Sequence, residues 1–231
     1  MAEIDIVDQT LRDGQQSLWG MRMKVGHLAA IADEIELAGY RVVDLTGSSI
    51  FECMMRYNHE DPWEGLDVWR SWLPTSTLRA GSRSNCIAKF GLTPDSLMEL
   101  WIETLAKHGI DSFWIYDCLY NMDAMERLAR TASDAGCQVA PAIMYGISPV
   151  HTDQWFADRV REFVGWGVTD SIYFEDAAGI LKPERAKTLM PALVDAAGSI
   201  PVEMQCHNTV GVAGLNYLIG VESGVQMLHT A

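Results

Sequence analysis

The sequence predicts a (β/α)8 barrel, and three observations carry that prediction. Short apolar, β-branched runs alternate strictly with longer amphipathic ones, which implies parallel strands joined by crossover helices. The alternation yields eight strands at intervals of about 25–35 residues, the length of a βαβ unit. Polar residues stand at the C-terminal end of nearly every apolar run, where barrels of this type gather their chemistry. An open doubly wound sheet is the alternative. No G-x-G-x-x-G follows the first strand, which speaks against its dinucleotide-binding version.

The elements follow in order. Residues 4–7 form the first strand, and residues 25–38 have apolar side chains at helical spacing up to Gly39. Residues 42–45 are the second strand. Asp61-Pro62-Trp63 opens a helix with an N-cap acid and proline in the first turn. Residues 77–80 are the third strand, and Thr93-Pro94-Asp95 starts a helix that ends at His108-Gly109. Strands four to eight fall at 113–116, 139–144, 171–174, 202–206 and 225–228. Helices at 123–135, 152–164, 183–197 and 212–222 separate them. No linker or low-complexity stretch divides the chain, so residues 1–231 read as one domain. The sequence ends at Ala231, directly after the eighth strand, so an eighth helix is missing from the pattern. Three readings account for the strand pair thereby left uncovered: a fragment of a longer chain, completion by another chain, or a helix borrowed from a neighbour in a homo-oligomer.

Composition narrows the partners. The 231 residues carry 17 Lys and Arg against 31 Asp and Glu, a formal net charge of −14. Such a surface repels nucleic acid and anionic membrane, and no basic stripe offsets it. Five scattered cysteines without a C-x-x-C motif point to a reducing cytoplasm rather than a disulfide scaffold. The N-terminus has no signal-peptide pattern, and no apolar run is long enough to span a bilayer.

Candidate site residues are those that follow the strands. Asp8, Thr10, Arg12, Asp13 and Gln16 follow the first, Arg83 and Asn85 the third, and Asp117 and Asn121 the fourth. Glu175 and Asp176 end the sixth, Gln205, His207 and Asn208 the seventh, and His229 and Thr230 the eighth. Asp13, Glu175, Gln205 and His207 together offer oxygen and imidazole ligands to a divalent cation. The plain reading of each is a helix-capping acid or a hydrogen-bonded histidine.

At these residues a family resemblance emerges. Asp8-Gln9-Thr10-Leu11-Arg12-Asp13-Gly14-Gln15-Gln16-Ser17-Leu18 resembles the opening motif of the pyruvate carboxyltransferase family. That family includes the carboxyltransferase domain of pyruvate carboxylase and the oxaloacetate decarboxylase α subunit. Its wider relatives include the hydroxymethylglutaryl-CoA lyases. Further segments fit in order: Asp61-Pro62-Trp63-Glu64, the stretch 83–95, Tyr116-Asp117-Cys118-Leu119, the run 175–183, and His207-Asn208-Thr209-Val210-Gly211. The resemblance implies a metal-dependent enzyme acting on a 2-oxo acid, by carboxyl transfer or decarboxylation through an enolate. It implies Arg12 as the enolate-stabilising catalytic residue, Gln16 and Arg83 as substrate-binding residues, and Asp13 as a metal ligand.

The sequence also departs from the family. Glu175 stands where the carboxyltransferase branch has a carbamylated lysine, and Gln205-Cys206-His207 replaces His-x-His. The implied metal set, Asp13, Glu175, Gln205 and His207, is oxygen-rich, which favours Mn²⁺ or Mg²⁺ with Zn²⁺ possible. Phe90 replaces a tyrosine near the biotin-accepting pocket, and His229 replaces an acid. His229 is expected to be structural, with a substitute-ligand role as the alternative. Biotin enters only if a separate carrier chain supplies it. Two other functions stay open: a biotin-independent carbon–carbon lyase or aldolase, and a non-catalytic barrel in a binding or assembly role.

Overall fold

The computed structural model describes residues 4–87 and 91–231. Eight parallel strands close into a barrel in sequence order: β1 (Asp5–Asp8), β2 (Val42–Gly47), β3 (Leu78–Arg83), β4 (Ser112–Tyr116), β5 (Gln138–Met144), β6 (Ile172–Asp176), β7 (Val202–Cys206) and β8 (Met227–Thr230). Closure comes from β1 lying parallel to β8, with Val7 opposite His229 and Asp8 opposite Thr230. The expected eight-stranded fold is borne out. The third and sixth strands run further toward the mouth than predicted, and the eighth begins at Met227.

The major outer helices are α4 (Pro62–Trp72), α5 (Asp95–Lys107), α6 (Met122–Asp134), α7 (Asp153–Gly165), α8 (Pro183–Ala197) and α9 (Ala213–Glu222), preceded by the shorter α1 (Gln15–Trp19), α2 (Ala32–Ala38) and α3 (Ser48–Cys53). Local chemistry starts them where the sequence indicates. The Asp61 carboxylate accepts from the Trp63 backbone N–H at 2.8 Å, with Pro62 in the first turn of α4. Thr152 caps α7 in the same way through Trp155.

Three segments depart from the sequence reading. The single helix expected over residues 25–38 is a 3-10 turn, Val25–Ala30, then α2, with Ile31 leaving helical geometry at φ −133° and ψ 4°. Leu28 is buried on the first piece, and Ala32 and Ile35 on the second. Residues 10–19 and 48–58 are helical as well, each pairing a short α-helix with a π-type turn.

Strand alternation sorts the interior into two regions. Outward residues such as Leu45, Phe113, Ile143, Phe174 and Met204 join one apolar core beneath the helices. The inward set is different. Val7, Val42 and Met227 form a small apolar cluster. Beside it lies a buried polar layer in place of the branched aliphatic packing usual in such barrels. Arg79 holds Glu203 with both terminal nitrogens, at 2.5 and 3.0 Å, and donates from Nε to the Ser112 hydroxyl. Further toward the mouth, Trp114, Ala140, Ala142 and Tyr173 pack together, with Tyr116 and Met144 against them.

Candidate active site

The turn after β1 builds the site. Residues Thr10–Gly14 form a π-type turn, with the Gly14 N–H reaching the Gln9 carbonyl at 2.9 Å. Wide turns of this kind recur at functional sites. Both Arg12 and Asp13 are buried here.

Arg12 is only 6% exposed and is held from several sides. Nε donates to Asp44 Oδ2 at 3.0 Å, and Nη2 donates to Gln9 Oε1 at 2.7 Å and to Gln205 Oε1 at 3.3 Å. Its guanidinium carbon lies 5.0 Å from the Trp114 ring centroid. Burial alone would push its pKa down. The fields of Asp44, Tyr173, Glu175 and Asp13 outweigh burial and hold it above the usual range, so Arg12 is a fixed buried cation.

Gln9 owes its orientation to His229. His229 Nε2 faces Glu203 Oε2 at 2.9 Å, and Nδ1 faces Gln9 Nε2 at 2.7 Å. Burial lowers the His229 pKa, which favours a neutral ring that donates from Nε2 and accepts at Nδ1. Gln9 then offers its oxygen to Arg12. Both His229 nitrogens are thus engaged inside the barrel, which supports its expected structural role.

A cavity of about 200 Å³ opens beside Arg12, lined among others by Gln16, Arg83, Trp114, Tyr116 and Glu175. Arg83 donates from Nε to the Tyr116 hydroxyl at 3.1 Å and reaches Cys86 Sγ at 3.3 Å. Glu175 is 4% exposed, and its Oε2 is buried with no hydrogen-bond partner. Burial pushes its carboxyl up to about 7; Arg12 opposes that rise and Asp13 adds to it.

Asp13, Gln205 and His207 line a neighbouring cavity of about 270 Å³. His207 Nε2 and Gln205 Nε2 both lie 3.0 Å from Asp13 Oδ2. The hydrogen bond to Asp13 raises the His207 pKa against the effect of burial. Burial would raise Asp13 in turn, but His207, Arg12 and Gln205 outweigh it and hold the carboxylate below its usual range. The loop after β6 presses on this group. The Asp176 carbonyl accepts from the His207 N–H at 3.1 Å, and the Asp176 side chain accepts from Ile180 and Leu181. Gly179 turns this loop at φ +66°, and a Cβ there would lie 2.6 Å from the His207 carbonyl oxygen.

The seven predicted site residues therefore divide between adjoining cavities. Arg12, Gln16, Arg83 and Glu175 line one; Asp13, Gln205 and His207 line the other. The four-ligand metal set is not assembled. Glu175 lines the Arg12 cavity rather than the one beside Asp13 and His207, and Gln205 directs the wrong end of its amide. Arg12 can only donate, so the amide oxygen faces it and accepts from the Tyr173 hydroxyl as well. The NH2 group, which has no lone pair for a cation, faces Asp13. Among the described residues no group of three His, Cys, Asp or Glu side chains is placed to hold a metal ion. The donor set does not fit the expected Mn²⁺, Mg²⁺ or Zn²⁺.

The chain is 33% identical over 228 residues to a pyruvate carboxylase subunit from Methanocaldococcus jannaschii, covering 99% of this chain and 40% of that protein. It is 30% identical to the methylmalonyl-CoA carboxyltransferase 5S subunit of Propionibacterium freudenreichii subsp. shermanii, covering 99% of this chain and 45% of that one. The carboxyl transferase domain of Rhizobium etli pyruvate carboxylase, solved with pyruvate, superposes with a TM-score of 0.94 at 30% identity. That match covers 100% of this chain and 40% of the other. No protein-family model matches. The barrel resembles the carboxyl transferase barrel of these proteins. The chain spans less than half the length of these relatives.

Sequence reasoning assigned no individual role to Gln9, Asp44, Trp114, Tyr116 and Tyr173. Asp44 carried a signal: a charged residue inside an apolar strand run. Trp114, Tyr116 and Tyr173 carried none, because their inward direction depends on register. Phe90 lies outside the described residues.

Proposed function

We propose that this barrel binds a 2-oxo acid of the pyruvate or oxaloacetate type and moves a carboxyl group to or from its C3 carbon through an enolate. The observation that carries this reading is the fixed Arg12 cation in a cavity shared with Arg83, Gln16 and Glu175. Arg83 and Gln16 hold the substrate's carboxylate and carbonyl. In decarboxylation the bond from C3 to the departing carboxylate breaks and carbon dioxide leaves. Its electron pair becomes an enolate whose oxygen faces Arg12. A buried cation stabilises that charge as it develops, without solvent reorganisation. Glu175 delivers the proton to C3, since a carboxyl titrating near neutrality both gives and takes protons at working pH. Carboxyl transfer uses the same enolate in reverse, with carbon dioxide as the electrophile.

The names of the relatives support this reading: they are parts of carboxylases or carboxyltransferases. A carboxyl carrier such as biotin would arrive on a separate chain. Assembly as a homo-oligomer, or with a different chain, is part of the same proposal. A cytoplasmic location fits five free cysteines. Among the described residues no helix is long and apolar enough to cross a membrane.

Two assays test the reading: release of carbon dioxide from oxaloacetate, and exchange of pyruvate methyl protons with D2O followed by NMR. The chain is expected to accelerate both. Arg12→Lys, which loses the planar fork, is expected to slow them by roughly 10²–10³-fold. Wild-type rates no faster than buffer, or a fully active Arg12→Lys variant, would refute the proposal.

A further inference from the structure

We infer that this barrel has exchanged a bound metal for a hydrogen-bonded bridge: Gln205 links Arg12 to the Asp13–His207 pair, and the site works without a divalent cation. The argument begins with lone pairs. A catalytic metal centre commonly takes three protein ligands, each offering a lone pair toward the ion. Asp13 and His207 present two such groups, with Asp13 Oδ2 and His207 Nε2 3.0 Å apart. The nearest further side chain is Gln205, whose amide nitrogen lies 3.0 Å from Asp13 Oδ2 and 3.3 Å from His207 Nε2. An ion between Asp13 and His207 would meet the hydrogens of that amide.

Rotating the amide does not repair the site. It would set the NH2 group 3.3 Å from Arg12 Nη2, donor against donor, where the oxygen now accepts. Arg12 cannot retreat, because Asp44, Gln9 and the Trp114 ring hold it. The Tyr173 hydroxyl closes on the same amide oxygen. Gln205 is 4% exposed, so water does not compensate either end. Glu175 is no substitute ligand, because among the described residues it forms no metal-holding group with Asp13 and His207.

The bridge also accounts for the positive charge that a metal would supply. Asp13 Oδ2 accepts N–H groups from both His207 and Gln205, which satisfies it without an ion. The guanidinium of Arg12 is permanently charged and already lines the substrate cavity. The catalytic half of the inference rests on the 2-oxo acid reading. The metal-binding half rests on the donor set alone.

The test keeps the two apart. Chelator-treated, refolding-competent chain is titrated with Mn²⁺ by calorimetry, with electron paramagnetic resonance counting free Mn²⁺. The expected result is no site tighter than about 100 μM, and pyruvate proton exchange that EDTA leaves unchanged. Gln205→His supplies the missing lone pair and is expected to tighten Co²⁺ binding at least tenfold, roughly the scale of a supporting residue at a metal site. Visible Co²⁺ bands without thiolate charge transfer place the ion on imidazole rather than on a cysteine. Should Gln205→His fail to fold, by circular dichroism, Gln205→Glu offers an oxygen lone pair in its place. Micromolar Mn²⁺ binding by the wild type, or exchange abolished by EDTA and restored by Mn²⁺, overturns the inference. A folded replacement that still binds no Co²⁺ overturns the role given to Gln205. A wild type that binds no metal and exchanges no protons sinks the 2-oxo acid reading and leaves the exclusion of metal standing.

Discussion

Glu175 combines near-total burial with one carboxyl oxygen that meets no donor. Its pKa is raised from 4.5 to about 7, and that has a consequence for stability. A carboxyl with a raised folded pKa contributes stability that is fully present below its unfolded pKa and lost as pH rises through the folded value. The wild type should therefore lose stability relative to Glu175→Gln between about pH 4.5 and 8, by up to about 3 kcal/mol. Urea unfolding of both proteins across that range measures it, and a difference that stays flat with pH would show that Glu175 titrates normally. How far such residues could be read in advance depended on the chemistry of each side chain. Arg12 and Arg83 carry their chemistry in a guanidinium that can only donate, so sequence placed that chemistry at the mouth. Gln205 has an acceptor and a donor on opposite ends of one amide. Only its neighbours, Arg12 and Tyr173, decide which end faces Asp13, and neither contact is visible in sequence.

At the scale of elements, β3 and β4 show why the cavity has its shape. Gly81 pairs directly with Trp114 across the two strands, and a Cβ on Gly81 would lie 2.6 Å from the indole. The missing side chain lets Trp114 lie across the barrel, stacked on Tyr116 at 4.6 Å and edge-on to Tyr173. Gly81→Ala must displace the indole or the strand. Overpacking of this kind costs about 1–3 kcal/mol. It should also weaken binding of a pyruvate analogue, because Trp114 is both a wall of the cavity and the face under Arg12. A wild-type urea midpoint together with wild-type affinity by calorimetry would remove Trp114 from that role. The eight strands were legible because each is a short apolar run between turn residues. The segments 10–19 and 48–58 were not, because a π-type turn joined to a single short helix offers no sustained period of 3.6. The break at Ile31 escaped for a related reason. Val25 and Leu28 fit a three-residue turn as well as an α-helical one, and a few residues do not separate the two periods.

Across the whole molecule, one buried polar chain links the inner layer of the barrel to its chemistry: Arg79, Glu203, His229, Gln9 and Arg12 in unbroken contact. Glu203 is its most heavily used member, accepting from Arg79 twice, from Ser171 and from His229. Replacing ions with matched apolar residues is often neutral or stabilising, whereas removing one partner leaves a buried charge unpaired. Glu203→Gln is therefore expected to destabilise the barrel by about 3–5 kcal/mol near neutral pH, with Arg79 stranded. The double replacement Arg79→Met with Glu203→Leu should be milder than the single one. The effect also has a sign in pH. Burial would raise the Glu203 pKa, but Arg79 and His229 outweigh it and hold the group well below its ordinary 4.5. A depressed carboxyl contributes stability that is present above the unfolded pKa and lost as pH falls toward the folded one. The neutral, buried His229 is present in both proteins and costs each of them stability as pH falls, since the unfolded chain takes up a proton near pH 6.5 that the folded ring resists. The advantage of the wild type over Glu203→Gln should therefore be full at pH 7 and shrink steadily below about pH 4.5. Thermal unfolding from pH 3 to 8 reads both quantities. If the gap between the two proteins persists unchanged to pH 3, Glu203 is not the ion that holds the centre of this barrel, and its link to Arg12 through His229 and Gln9 is incidental.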